Sequence, residues 1–232
     1  VGRNVDQDQR PDVRPSSDEV VLKVEGISDG RLLRDVSFEL RKGEILGLAG
    51  LMGAGRTELA RALIGAEPKT AGKIFLRGRE VKIKSPSDAV KFGIGYLSED
   101  RKKYGLLLIQ NLTFNVILSS IPSFSNRFGF LKTKPAGAIT RDVIKQLSIR
   151  TPSENQYVKN LSGGNQQKVV ISKWLTRDCD ILIFDEPTRG IDVGAKDEIY
   201  KLLTKLASEG KSIIMISSEL PEILRMSDRI AV

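Results

Sequence analysis

A glycine-rich octapeptide carries the first residue types suited to phosphate chemistry. Its residues are Gly50, Leu51, Met52, Gly53, Ala54, Gly55, Arg56 and Thr57. In such a loop the glycines let successive backbone N–H groups turn toward a phosphate, and the start of the following helix adds positive potential. Arg56 stands where a lysine is usual. The spacing predicts a phosphate-binding loop, and the alternative is a tight turn between a strand and a helix.

Two carboxylates, Asp185 and Glu186, follow the apolar residues 181–184. An apolar run of this kind predicts a buried strand, and ligands of α/β sheets bind beyond the carboxyl ends of such strands. We expect Asp185 to hold Mg²⁺ together with the Thr57 hydroxyl, and Glu186 to polarise the water that attacks a γ-phosphate. Because the sequence contains no histidine, Glu186 is the best-placed general base. The alternative, a plain charged strand end, is disfavoured by the accompanying phosphate loop.

A third motif, Leu-Ser-Gly-Gly-Asn-Gln-Gln-Lys, occupies residues 161–168 immediately before an expected helix. A serine hydroxyl beside bare glycine backbone at a helix start favours anion binding. Ser162, Gly163 and Gly164 therefore predict a second anion site.

Together the three motifs resemble those of ABC ATPases, over essentially the whole chain. The resemblance implies ATP and Mg²⁺ as ligands and two cassettes paired head to tail, with the signature of one closing over the ATP held on the phosphate loop of the other. The signature residues that it implies are Ser162, Gly163, Gly164 and Gln166. The catalytic positions that it implies are Glu186, Glu99 in place of the Q-loop glutamine, and Ser218 in place of the switch histidine.

Longer segments resemble one branch more closely, the C-terminal cassette of monosaccharide importers of the ribose and galactose type. These segments are residues 161–168, 185–196 and 216–220. The resemblance implies ATP hydrolysis that drives import of a simple sugar at the cytoplasmic face of the cell membrane, where the cassette is peripheral. The implied partners are the N-terminal cassette of the same polypeptide, an integral membrane permease and, indirectly, a sugar-binding protein. No nucleic acid is expected as a partner.

Four features depart from the general ABC pattern. Arg56, Glu99 and Ser218 replace the usual lysine, glutamine and histidine, and no aromatic residue lies between Val20 and Ser37 to stack on adenine. Loss of one aromatic stack weakens base binding by about 1–3 kcal/mol. We therefore expect the chain's own site to be degenerate, while its intact signature completes the site of the partner cassette. Residual hydrolysis at the degenerate site stays open, since both carboxylates remain.

Two other functions stay open at this stage. The net charge of +8 suits an ABC ATPase that acts on nucleic acid. Chromosome-maintenance members of that kind insert long heptad coiled coils between the Q-loop and the signature. Here the segment between these motifs, residues 100–161, is too short for such an insertion and contains Pro122, Pro135 and Pro152. The second alternative is a regulatory cassette that binds nucleotide without hydrolysing it.

Composition excludes several other classes of protein. The absence of histidine rules out Ser-His-Asp and Cys-His triads and His-ligated zinc, and the single cysteine, Cys179, rules out an internal disulfide. With 232 residues, 40% of them hydrophobic, the chain can bury a full core. No apolar run approaches the ~20 residues that a membrane-spanning helix needs.

The apolar pattern predicts the elements that carry the motifs. Period-two alternation beginning at Val20, Val36 and Ile74 predicts antiparallel β structure. Continuous apolar runs predict buried strands at residues 45–49, 181–184 and 213–216. Helices are predicted after the phosphate loop, closed by Gly65, and over residues 199–206. The expected fold is α/β, a P-loop NTPase (ABC ATPase) core with an N-terminal antiparallel β segment and a helical subdomain inserted at about residues 101–160.

The two ends of the chain and one basic segment complete the sequence interpretation. Residues 1–19 combine prolines with both charges and little apolar patterning, which predicts a linker or tail of a preceding cassette. Residues 20–232 are assigned to the ABC ATPase domain, which we expect to be truncated at its C-terminus. Arg101, Lys102 and Lys103 are interpreted as surface charge, and Trp174 is expected in the core.

Overall fold

The computed structural model describes residues 17–51 and 53–232. The expected tail at residues 1–16 and Met52 of the phosphate loop lie outside the described residues. The chain divides into two compact units: one holds the described residues up to Ala89 together with Leu203–Val232, and the other holds Val90–Leu202.

The helices and strands are numbered along the chain. They are β1 (Val20–Ser28), β2 (Val36–Arg41), β3 (Ile45–Leu48), α1 (Arg56–Leu63), β4 (Ala71–Leu76), β5 (Arg79–Val81), α2 (Pro86–Lys91), β6 (Ile94–Leu97), α3 (Leu112–Ile117), α4 (Thr133–Gln146), α5 (Gly163–Thr176), β7 (Ile181–Asp185), α6 (Val193–Ser208), β8 (Ser212–Ile216), α7 (Leu220–Met226) and β9 (Arg229–Ala231). A π-helical turn covers Arg101–Gly105, and 3₁₀ segments cover Leu118–Phe124 and Val158–Asn160.

An antiparallel sheet begins the first unit, with strand order β2-β1-β4-β5. Leu22 lies opposite Leu40 on one neighbouring strand and opposite Leu76 on the other. Leu22 and Leu40 are fully buried. The prediction of antiparallel strands is confirmed, although burial does not alternate strictly, because the neighbouring Val21 and Leu22 are both buried.

Three parallel strands form the rest of the first unit's β structure, with β3 between β8 and β9. All four residues of β3 are buried, as the continuous apolar run predicted. A side chain at Gly47 would collide with α7 and the residue after it, because an ideal Cβ there would lie 2.8 Å from Ile223 Cγ2 and 2.2 Å from Ser227 Oγ. This close packing supports the strand that leads into the phosphate loop.

Helix α1 follows the phosphate loop and buries one of its faces in the core of the first unit. Its buried residues are Leu59, Ala60, Ala62 and Leu63. The chain then turns at Gly65, where φ is +70° and an ideal Cβ would lie 2.5 Å from the backbone nitrogen of Ser85. Glycine is required there by both conformation and space, which confirms the predicted end of this helix.

The second unit contains the parallel strands β6 and β7 together with α3, α4 and α5. All five residues of β7 are buried, as its apolar run predicted. Trp174 on α5 is in the core, and an ideal Cβ on Gly95 would lie 2.9 Å from its ring. The helix therefore packs directly on the backbone of β6. Among the described residues, no helix is both long and apolar enough to cross a membrane.

Candidate functional site

The phosphate loop joins the end of β3 to the start of α1 in the first unit. Gly53 and Gly55 have φ values of +83° and +87°, and the Ala54 N–H donates to the Leu51 carbonyl at 3.0 Å. Gly55 is the N-cap of α1, and within the described part of the chain no side chain caps the helix. A left-handed glycine turn ahead of an uncapped helix start is a favourable site for a phosphate oxyanion.

Arg56 is the first residue of α1, and its side chain passes over the loop toward β8. An ideal Cβ on Gly50 would lie 3.7 Å from Arg56 Cδ. The guanidinium Nη1 donates to the backbone carbonyl of Ser217, just beyond the end of β8. The positive charge at the usual lysine position is thus engaged with a protein carbonyl.

The turn after β8 is fixed by a buried serine and a buried carboxylate. Ser217 Oγ donates to Glu222 Oε2 at 2.7 Å and accepts from the Glu219 N–H at 3.0 Å. Glu222 is 4% exposed, whereas Ser218 is exposed. Ser218 is therefore presented from a rigid turn. Sequence reasoning missed Ser217 and Glu222, although serine just before a helix start is a capping signal.

The two predicted carboxylates lie at the carboxyl end of β7 in the second unit. Asp185 is 1% exposed, and its Oδ2 accepts from the Tyr96 hydroxyl at 2.7 Å. Glu186 follows with φ +51°, in the left-handed region that non-glycine residues rarely occupy. The hard oxygen of Asp185 fits Mg²⁺, which is usually held by one or two carboxylates together with waters and substrate phosphates. The second Mg²⁺ ligand expected from the sequence is the hydroxyl of Thr57, which lies on α1 in the first unit.

Glu99 and Arg101 bind the loop that follows Glu186. The Glu99 carboxylate forms an ion pair with Arg189. The Arg101 guanidinium donates to the Arg189 carbonyl at 2.8 Å and to the Gly190 carbonyl at 3.3 Å. The interpretation of Arg101 as surface charge is therefore wrong, because its side chain binds protein carbonyls and is partly buried, while Lys102 and Lys103 are exposed. A single basic run could not distinguish the bound residue from the solvated ones.

The signature forms the start of α5. Ser162 is the N-cap, and its Oγ accepts from the backbone N–H of Asn165 and from Asn165 Nδ2 at 2.9 Å. The helix begins at Gly163, so most of the motif lies inside the helix and not before it. An ideal Cβ on Gly163 would lie 2.9 Å from Arg101 Nη2, and one on Gly164 would lie 2.8 Å from Ala195 Cβ. Close packing therefore opposes a side chain at Gly164, and a side chain at Gly163 would displace the end of Arg101.

The profile of the family described as ABC transporter matches residues 33–189, more than half of the chain. The chain belongs to the ABC transporter family. The resemblance inferred from the motifs is thereby confirmed.

Two relatives match this ABC cassette along its whole length. It is 60% identical to a protein of Burkholderia cenocepacia (strain HI2424) named "Putative ribose/galactose/methyl galactoside import ATP-binding protein 2". It is 54% identical to a similarly named protein of Albidiferax ferrireducens (strain ATCC BAA-621 / DSM 15236 / T118). The chain covers 45% and 46% of these relatives, so it spans about half the length of the curated proteins that it matches.

Solved structures establish the fold. The cassette resembles the post-hydrolysis dimer of the ATP-binding cassette MJ0796 bound to ADP and Pi, with a TM-score of 0.75 and 20% identity over 90% of this chain and 92% of that one. It resembles MJ1267 in its ADP conformation with the same TM-score, 19% identity, and coverage of 91% and 86%. The fold is that of ATP-binding cassettes, and the expected α/β P-loop class is confirmed.

The signature of this cassette presents Asn165, and not Gln166, beside Ser162. Gln166 is 5% exposed, and its Nε2 donates to the Val158 carbonyl at 3.2 Å. Asn165 bonds to Ser162 Oγ, and its Oδ1 accepts from the Arg150 N–H at 2.9 Å. The sequence signal for Asn165 was its place three residues after the N-cap, where a polar side chain folds back on the cap. Asn165 therefore replaces Gln166 among the nucleotide-facing residues that we propose below.

An aliphatic segment lies beside the phosphate loop of the cassette. Asp29 accepts from the N–H groups of Arg31 at 2.7 Å and Leu33 at 2.9 Å, and the first of these bonds is the main cause that holds the pKa of Asp29 below its ordinary value. In this turn Leu32 Cβ lies 3.5 Å from the ideal Cβ position of Gly55, and Leu32 is 53% exposed. A leucine offers adenine an apolar contact without the stacking energy of an aromatic ring.

Proposed function

We propose that this cassette binds and hydrolyses ATP to power import of a simple sugar of the ribose or galactose kind. The observation that carries the ATP-binding part is the left-handed glycine turn ahead of the uncapped start of α1. The sugar-import part is supported by the names of relatives that match all 232 residues at up to 60% identity. We further propose that the cassette works at the cytoplasmic face of the cell membrane with a permease and, indirectly, a sugar-binding protein.

The residues have separate roles in this proposal. The N–H groups of the loop around Gly53 and Gly55 hold the phosphates, and Thr57 and Asp185 supply oxygen ligands for Mg²⁺. The ion, when bound, neutralises the charge that develops on the phosphates. Glu186 accepts the proton of the attacking water, and the Tyr96 hydroxyl orients the neighbouring Asp185 carboxylate.

We propose that the cassette's own site is weak and that its signature is the competent part. Arg56 bonds to the Ser217 carbonyl, and Glu99 is paired with Arg189, so both substituted positions are engaged within the protein. Ser162 and Asn165 instead occupy the exposed start of a long helix. In a head-to-tail pair this start completes the ATP site of the N-terminal cassette of the same polypeptide.

The test uses the proposed two-cassette polypeptide with its permease. Ser162→Arg blocks the signature with a large side chain, and we expect it to abolish ATPase activity. Arg56→Ala removes the positive charge at the phosphate loop of the weak site and is expected to lower turnover only in part. Ser208→Arg, at an exposed serine of α6, is the matched control and leaves turnover unchanged. Equal and total loss from Ser162→Arg and Arg56→Ala would refute the asymmetry.

The engaged states of Arg56 and Glu99 also favour a second candidate, a regulatory cassette that binds ATP without hydrolysing it. Equilibrium binding and turnover of ATP, measured on this chain at concentrations high enough for two copies to pair head to tail, separate the two. Binding with measurable turnover supports an ATPase, whereas binding with none supports the regulatory function. In a shift assay at ~0.15 M salt we expect no binding of DNA or RNA, since phosphate-driven contacts would persist there only for a dedicated basic surface.

A further inference from the structure

One side chain, Arg101, touches both the loop after the two carboxylates and the start of the signature helix. Its Nη1 and Nη2 donate to the carbonyls of Arg189 and Gly190 at 2.8 and 3.3 Å. The same Nη2 lies 2.9 Å from the ideal Cβ position of Gly163. The guanidinium therefore fills the space that a side chain at residue 163 would occupy, and it joins two segments that are far apart in sequence.

The structure holds Arg101 in this place from several sides. Arg101 begins the π-helical turn, whose other end is fixed by Lys173 Nζ donating to the Gly105 carbonyl at 2.9 Å. Asp100 Oδ1 accepts from the Lys103 N–H at 3.0 Å. Burial lowers the pKa of Arg101, and the neighbouring Asp100 charge opposes this. The guanidinium is partly buried and donates to two backbone carbonyls, so Arg101 is not a freely solvated surface arginine.

The geometry explains why arginine and glycine occur together here. An ideal Cβ on Gly163 would also lie 3.1 Å from the Gly190 carbonyl oxygen, so the signature backbone touches the loop directly. A planar guanidinium can donate to two adjacent carbonyls at once, which a lysine ammonium with its single nitrogen reproduces poorly. The contact therefore specifies the distance between the signature start and the loop.

We propose that Arg101 is a positioning residue for hydrolysis at the partner cassette's site. It fixes Ser162 and Gly163 against the loop at residues 186–190, so that the signature reaches the partner's ATP only when this loop is in place. A displacement of the chain's own carboxylates, Asp185 and Glu186, would thereby move the signature of the same chain. The inference rests on the proposed function, in which the signature acts on the nucleotide of the other cassette.

The experiment compares three variants in the two-cassette polypeptide with its permease. Arg101→Met keeps the aliphatic length and removes both donors, and we expect kcat to fall by ~10- to 100-fold with KM for ATP within about twofold, as for a displaced group remote from the reacting atoms. Arg101→Lys retains the charge on a single donating nitrogen, and we expect its kcat to lie between those of Arg101→Met and the unmodified protein. Lys102→Met, which removes one charge from the exposed neighbour, is the matched control and is expected to leave kcat unchanged.

Each outcome either supports or overturns the positioning role of Arg101. An unchanged kcat in Arg101→Met, an equal fall in Lys102→Met, or a rise in KM with kcat unchanged would overturn the inference. If Arg101→Met does not fold, as judged by its melting temperature, Arg101→Lys decides by the same criteria. If Ser162→Arg leaves turnover intact, the proposed function itself has failed; if Ser162→Arg abolishes turnover and Arg101→Met does not lower it, only the role of Arg101 has failed.

Discussion

The phosphate loop and the signature are both helix starts suited to anions, but they are built in different ways. At the phosphate loop the N-cap residue is Gly55, which has no capping side chain, and the adjacent Arg56 donates to the Ser217 carbonyl. At Ser162 the cap is a serine hydroxyl bonded by Asn165, followed by Gly163 against Arg101.

The two helix starts differ in how closely other atoms pack against their glycines. Gly53 has nothing within 4 Å of its ideal Cβ position, whereas Gly163 and Gly164 each have a neighbour closer than 3 Å. At Gly53 the phosphate loop is therefore open, and neighbouring side chains do not crowd its backbone there. A crowded helix start holds its geometry before a ligand binds, which suits the role that we propose for this signature at a nucleotide held by the partner cassette.

The largest effect is expected from a small-to-large substitution in the signature. Gly164→Val places carbon where Ala195 already lies, and we expect the free energy of unfolding to fall by about 1–3 kcal/mol and turnover to be lost. Ala54→Val makes the matched change at an exposed position of the phosphate loop and is expected to alter stability by less than about 0.5 kcal/mol. Urea unfolding of both variants measures this, and similar losses would remove the contrast between the sites.

The next effect concerns the buried cation of the signature helix. Burial lowers the pKa of Lys173 from 10.5 to about 8. The unfolded chain therefore binds more protons between these values, and the free energy of unfolding rises with pH across this window. Relative to Lys173→Met, the unmodified protein is expected to gain about 2 kcal/mol between about pH 7 and about pH 9.5.

The measurement for Lys173 is the pH dependence of urea unfolding. Lys145→Met, at an exposed lysine of α4, is the control and is expected to give a difference that does not change with pH. A flat difference for Lys173→Met as well would contradict the buried cation. The pH dependence therefore tests whether the signature helix is as tightly packed as its contacts indicate.

The smallest effect is expected at the phosphate loop. Arg56→Lys removes the bond to the Ser217 carbonyl and supplies a compact ammonium, so we expect the affinity of this chain for ATP to rise about fivefold, which corresponds to about 1 kcal/mol. Equilibrium titration with ATP measures it, with Arg61→Lys on the same helix as the control. Unchanged or weaker binding by Arg56→Lys would show that the arginine is not what weakens this site.

Strands and helices with a clear apolar period were predictable, and short elements were not. The alternation around Leu22 and the run over β7 both predicted the observed strands. The three residues of β9 carry no readable period, although Ile230 pairs with Gly47 of the central strand β3. A strand that short is stabilised by its neighbours and not by its own pattern.

The candidate site shows the same division. Motif spacing located Gly55, Asp185 and Ser162 because phosphate loops and strand ends require those residue types at fixed intervals. It did not separate Asn165 from Gln166, since neighbouring polar residues on a helix differ only in which side faces the core.

Residue types and their spacing were enough to identify the ABC family and to predict the phosphate loop, the carboxylate pair and the signature, because each of these depends on local sequence. Three contacts became visible in the folded chain alone: Arg56 bonds to Ser217, Glu99 pairs with Arg189, and Arg101 lies against Gly163. These contacts join residues distant in the chain. A long, flexible charged side chain has no sequence pattern that reveals its partner. Their partners are chosen by the packing of the fold.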